Sequence, residues 1–315
     1  MRFLPAMAAS ALIAVGCGRA PLSTTPVAPG TLATPAGALH AAAADPALQA
    51  VLEKSLPAHG FTDAGAVLQD LESDRSAVHR ATAIFGSASI IKIAVMAEVH
   101  RQYEAGLVAR DGQVTIERRN YTDTWKPVLR VGDRVSVSRL VDLMITKSDN
   151  VATNTLVDIV RRQNLNAFMA RLGLGDIQFH HKLSGGSVPV SDPDYDGGRN
   201  QISASAVARL LASIAAGTLV NAEESARMKE ILGRQEDSSK IPGGLPAGAR
   251  VFHKTGETSK LTHDAAIVEV EGRRYVMVIL ANRAPGGNTY RAFGSVARDL
   301  DRALAGPARI PYAGS

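Results

Sequence analysis

The stretch Phe85–His100, FGSASIIKIAVMAEVH, decides how the chain is read. It is apolar almost throughout, yet it holds a hydroxyl at Ser89 and an amine at Lys92. A buried ammonium is costly unless paired, and burial drives it towards its neutral form. Positions i and i+3 share a helix face, so the two side chains can meet. If Ser89 opens the helix, the free N–H groups there favour negative charge developing beside it. Ile90, Ile91, Ile93, Val95, Met96 and Val99 enclose the pair and predict a buried helix. Burial lowers a lysine from its reference of about 10.4 towards the range of a base, which is what a serine nucleophile requires.

Around this segment the apolar pattern changes period. Two strand-like runs, AGAVLQDL and HRATAIFG, precede it, after a helix started by Asp45 and Pro46. Helical spacing then dominates from about residue 89 to 233, including VATNTLVDIVRRQNLNAFMARLG, read as one helix that closes on Gly173. Strands return in ARVFHKTG, DAAIVEVEG and RRYVMVILANR, and YRAFGSVARDLDRALAG closes the chain as a helix. Strands at both ends with helices between predict one sheet assembled from the two chain ends, a helical insertion, and a cleft where they meet.

Two more short motifs carry chemistry. S-D-N stands at Ser148–Asn150 between predicted helices, and K-T-G stands at Lys254–Gly256 at the end of a predicted strand. Residue 89 lies 59 before residue 148, which lies 106 before residue 254. In this order and at this spacing, S-x-x-K, S-D-N and K-T-G resemble the class A β-lactamases and penicillin-binding proteins. The resemblance covers about residues 46–306. It implies an α/β plus all-α fold: an antiparallel sheet with flanking helices built from both chain ends (46–84 and about 250–306) and an inserted helical domain (about 85–249).

The resemblance also implies roles. Ser89 would be the acylated nucleophile and Lys92 its base or part of its proton relay. Ser148 would pass a proton to the leaving nitrogen beside Lys254. The backbone N–H groups of Ser89 and Glu257 would form the oxyanion hole. Asn150 would bond the acylamide side chain, and Lys254, Thr255, Gly256 and His263 would line the substrate carboxylate's place. Class A enzymes further carry E-x-x-L-N on an Ω-loop, whose glutamate activates the water that frees the acyl-enzyme. This chain has no glutamate between Glu117 and Glu223. Straight spacing puts that position in LSGGS, residues 183–187, and a gapped alignment puts DPDYD there, with Asp192 as the substitute base. Asp192, Asp194 and Asp196 solvating a loop is the plainer alternative.

The chain has 315 residues, 45% hydrophobic, enough for one or two domains. Its net charge of +5 is scattered and carries no nucleic-acid motif. His180 and His181 are adjacent rather than at ligand spacing, so neither a metal nor another cofactor is expected. Trp125 and Tyr121 are expected to pack at the core or the cleft rim. Residues 1–16 read as an export signal, and AVGC resembles a lipobox ending in Cys17, the only cysteine. Residues 17–45 read as a flexible tether and 307–315 as a tail. The expected protein is an exported, periplasmic or cell-envelope monomer, lipid-anchored through Cys17. It would hydrolyse a small-molecule β-lactam through an acyl-serine intermediate, with slow deacylation where no glutamate activates water. The alternatives are a D-Ala-D-Ala peptidase or related amide or ester hydrolase, and a penicillin-binding sensor without turnover.

Overall fold

The computed structural model describes residues 44–73, 75–123, 128–185, 188, 190–282 and 288–306. The leader, Cys17, Trp125 and the tail lie outside these. Asp45 accepts hydrogen bonds from the N–H groups of Ala47 and Leu48 and starts helix α1 (Pro46–Ala58), with Pro46 in its first turn. Strands β1 (Ala64–Asp70), β2 (Ser76–His79) and β3 (Ile84–Gly86) follow. The run HRATAIFG is therefore not one strand: Arg80 takes a positive φ of 43° and breaks it. Beyond β3, a 3₁₀ turn (Ala88–Ile91) leads straight into α2 (Lys92–Glu104).

Next come β4 (Gln113–Thr115), β5 (Arg134–Ser136), α3 (Val137–Thr146), α4 (Asn150–Val160) and α5 (Arg162–Arg171). The helix read over 151–173 is split between α4 and α5, because Arg161 adopts φ 70° and ends the first run. The chain continues through β6 (Gln201–Ser203), α6 (Ala204–Ala215), α7 (Ala222–Leu232), β7 (Arg250–Glu257), β8 (Thr262–Val270), β9 (Arg273–Ala281) and α8 (Thr289–Ala305).

Five strands form one antiparallel sheet in the order β2-β1-β9-β8-β7. Its central strand β9 is apolar from Val276 to Ala281 because both faces are covered, whereas β7 and β8 carry polar residues at the end near the cleft. Ala265 and Ile267 of β8 and Val276, Val278 and Leu280 of β9 join the core shared with α2–α7. The alternate residues Ala266, Val268, Tyr275, Met277 and Ile279 face α1 and α8. Phe61 and Phe293 close that second layer edge to face, 5.0 Å between centroids. Against α8 the backbone comes very near: a Cβ on Gly244 would stand 1.8 Å from the Gly294 carbonyl oxygen. Tyr121 is half-buried against the helical core. Among the described residues, no helix is long and apolar enough to cross a membrane.

Candidate active site

Three segments from distant parts of the chain converge at one end of β7. The first is the 3₁₀ turn before α2, which carries Ser89. Ala88, just ahead of it, is held at φ 42°, a left-handed conformation that β-carbons disfavour. The second is the link between α3 and α4, where Ser148 takes φ 57° and Asp149 caps α4 by accepting from the Ala152 N–H at 2.8 Å. The third is β7 itself, laid against the 3₁₀ turn. A Cβ on Gly256 would stand 3.1 Å from Ser89 N and 3.2 Å from the Ala88 methyl carbon, so any side chain there would have to push the 3₁₀ turn back by a few tenths of an ångström.

Lys92 is fully buried. Its ammonium donates to the Ser148 carbonyl at 2.6 Å, to Asn150 Oδ1 at 2.7 Å and to Ser148 Oγ at 3.1 Å. Burial, and then the nearby charge of Lys254, hold its pKa well below the usual lysine range, against the pull of Asp149. Lys254 is also fully buried and donates to the Thr255 carbonyl at 2.8 Å. Burial lowers it to about 7, partly offset by Asp264. Two lysines that face each other out of water cannot both keep ordinary basicity. Ser89 is half-buried in the cleft, and its Oγ has no hydrogen-bond partner among the described residues. The i, i+3 spacing thus brings Ser89 and Lys92 into one turn, while the ammonium itself is tied to the S-D-N segment.

Two expected site residues lie elsewhere. His263 does not line the cleft. It pairs directly with Gly256 across β7 and β8, so its ring enters the seam beneath the 3₁₀ turn. There it is fully buried, with Nε2 2.8 Å from the Gly86 carbonyl and Nδ1 2.7 Å from the Thr262 carbonyl and 3.1 Å from the Ala281 nitrogen. Burial pushes it down to about 4. It is therefore a neutral brace that binds no anion at neutral pH.

Asp192 is likewise not poised at Ser89. Both its oxygens accept from Arg162 Nη2, at 2.6 and 2.7 Å, and Oδ2 also accepts from the Lys182 N–H at 2.7 Å. Asp196 pairs with His180 at 2.9 Å. The segment that faces Ser89 is the one reached by straight spacing. Leu183 and Ser184 line the cleft with Ser89 and Asn150, and Gly185 lines its other end. Asn154 fixes this backbone, accepting from the Leu183 N–H at 2.8 Å and donating to its carbonyl at 2.9 Å. The Gly185 N–H donates to Thr122 Oγ1 at 3.0 Å. Nothing in Leu183–Gly185 is a carboxylate.

Sequence reasoning missed Asn154 and Lys240. Lys240 is fully buried, its Nζ 3.1 Å from the His263 carbonyl and 3.2 Å from Glu257 Oε1. Its one signal was an ammonium in a short irregular segment, which ordinarily means solvent.

The profile of the Beta-lactamase enzyme family matches residues 44–304. The chain belongs to that family. No curated protein matches it in sequence. Solved structures of similar fold include PBP-A, with TM-score 0.74 and 24% identity over 83% of this chain and 97% of that one. Others are a β-lactamase from Sphaerobacter thermophilus (TM-score 0.71, 24% identity, 83% and 98% covered) and an ancestral class A β-lactamase (0.70, 23%, 81% and 98%). A point mutant of PBP-A has been solved as an acyl-enzyme complex with penicillin G, with TM-score 0.71 and 23% identity over 82% of this chain and 96% of that one. The protein is a β-lactamase-like serine hydrolase by family. Its S-x-x-K, S-D-N and K-T-G elements form one cleft.

Proposed function

We propose that this protein opens β-lactam rings by forming an acyl-Ser89 ester and frees that ester slowly. The observation that carries the reading is the pairing of a complete acylation set with a carboxylate-free Leu183–Gly185 segment facing Ser89. Lys92, its pKa held well below the usual lysine range by burial, takes the Ser89 proton as Oγ attacks the lactam carbonyl. The Ser89 and Glu257 N–H groups hold the oxyanion, with Gly256 keeping β7 close enough for both to reach it. As the C–N bond breaks, the proton travels from Lys92 through Ser148 Oγ, 3.1 Å away, to the departing nitrogen. Lys254 and Thr255 bind the carboxylate on the leaving-group side, and Asn150 bonds the acylamide. Hydrolysis of the ester then needs a water activator, and Asp192 is committed to Arg162.

The test follows a chromogenic cephalosporin over many turnovers, with an intact-mass spectrum of the same sample. The expected result is a stoichiometric burst with one acyl adduct on Ser89, followed by slow release. Rapid sustained turnover would overturn the slow-release part, and neither turnover nor adduct would overturn β-lactam acylation.

A further inference from the structure

On the acylamide side of Ser89 the cleft opens into a lobe of about 600 Å³. Among the described residues, its walls carry four side chains with full charges: Lys182, Arg199, Glu257 and Lys260. Two of these are already matched. Lys182 Nζ lies 2.9 Å from Asp158, and Glu257 Oε1 lies 3.2 Å from Lys240 Nζ. Arg199 and Lys260 are exposed, and neither side chain has a hydrogen bond or ion pair among the described residues. The Arg199 guanidinium hangs over the strand that leads to the nucleophile: a Cβ on Gly86 would stand 3.9 Å from Arg199 Nη2. The lobe at the other end of the cleft has the opposite character, with Asp149, Glu236 and Asp237 in its walls and Lys147 held 2.5 Å from Glu236. The cleft is thus polarised along its length, and unmatched cations in a concave wall concentrate an anion there.

We propose that this lobe selects acyl donors whose acyl half carries a carboxylate, with Arg199 and Lys260 as the specificity-determining residues. The inference rests on acylation of Ser89 as proposed above and adds a second anion to the substrate. One carboxylate lies beside Lys254 on the leaving-group side, and the other lies in the Arg199–Lys260 lobe. The planar Arg199 fork suits a carboxylate, while Lys260 adds a mobile point charge. The substrate class is therefore an amide with an acidic acyl half, whether a strained lactam or an open peptide.

The experiment measures second-order acylation of the full protein by α-carboxybenzylpenicillin and by benzylpenicillin, counting adducts by intact mass. The readout is the ratio of the two rates, which removes the reagents' intrinsic difference when proteins are compared. Two exposed ion pairs predict that this ratio is about three- to tenfold higher in the wild type than in Arg199→Gln/Lys260→Gln. It should shrink in about 1 M salt, where screening acts over about 3 Å. Charge reversal to Arg199→Glu/Lys260→Glu should lower it further. Adducts with equal ratios in all three proteins would overturn the specificity and leave acylation standing. No adduct from either penicillin would overturn both.

Discussion

Acidification should loosen the sheet at His263. Burial holds this imidazole at about pKa 4, against about 6.5 in an unfolded chain. Between those pH values the unfolded chain binds a proton that the folded chain refuses. The stability is therefore complete above about pH 6.5 and is lost as pH falls towards 4. The gap is worth about 3 kcal/mol at full protonation and about 2 kcal/mol near pH 5. No solvent discount applies, because the ring is fully buried. Lys254 does not confound the measurement. Its depressed value of about 7 makes stability rise with pH only between there and the unfolded range, above the window of interest. The assay is urea unfolding followed by circular dichroism, for the wild type and His263→Gln, from about pH 7 to pH 4. The variant should start lower by about 1–3 kcal/mol, since the Gly86 carbonyl or the Ala281 N–H loses its partner. Its profile should then be flatter, so that the two proteins converge in acid. Parallel profiles would refute a neutral buried imidazole.

Four further outcomes are expected. Lys254, charged below about pH 7, should make acylation by an anionic β-lactam decline as pH rises through that value; Lys254→Arg should shift the decline upward, read from the pH profile of adduct formation. Gly256→Ala sets a Cβ 3.1 Å from Ser89 N and should slow acylation about 10- to 100-fold, whereas Gly244→Ala, 1.8 Å from the Gly294 oxygen, should cost about 3 kcal/mol in urea. Arg162→Met strands the Asp192 carboxylate in a largely buried site and should cost about 3–5 kcal/mol, with Asp192→Asn restoring part of it. Cys17→Ser should move the protein from the detergent phase to the aqueous phase in a partition assay, if Cys17 carries lipid in the wild type.

The sheet strands were legible because burial on both faces leaves runs such as YVMVIL with no polar interruption. The three motifs were legible because each needs a particular residue at a fixed offset. The break at Arg161 was not, since no glycine or proline marks the residue whose φ turns positive. His263 was misread because the face a strand residue chooses depends on register, and only the pairing with Gly256 sends its ring under the nucleophile's turn. Asp192 attracted attention as an acid in the right span of chain. The decisive fact is its partner Arg162, which lies 30 residues earlier and shares no local pattern with it. Lys240 and Asn154 show the same limit, because each acts through contacts that a sequence does not encode locally.

Asn154 and Thr122 grip the Leu183–Gly185 strip by its main-chain groups, Leu183 packs against the core, and nothing is asked of the exposed Ser184 side chain. The support is therefore indifferent to what is mounted at Ser184. A lineage could exchange residues there without rebuilding the loop, moving between a protein consumed one molecule per drug and one that acts repeatedly. The difference between sponge and catalyst would then be a matter of a few side-chain atoms on a shelf that is already built.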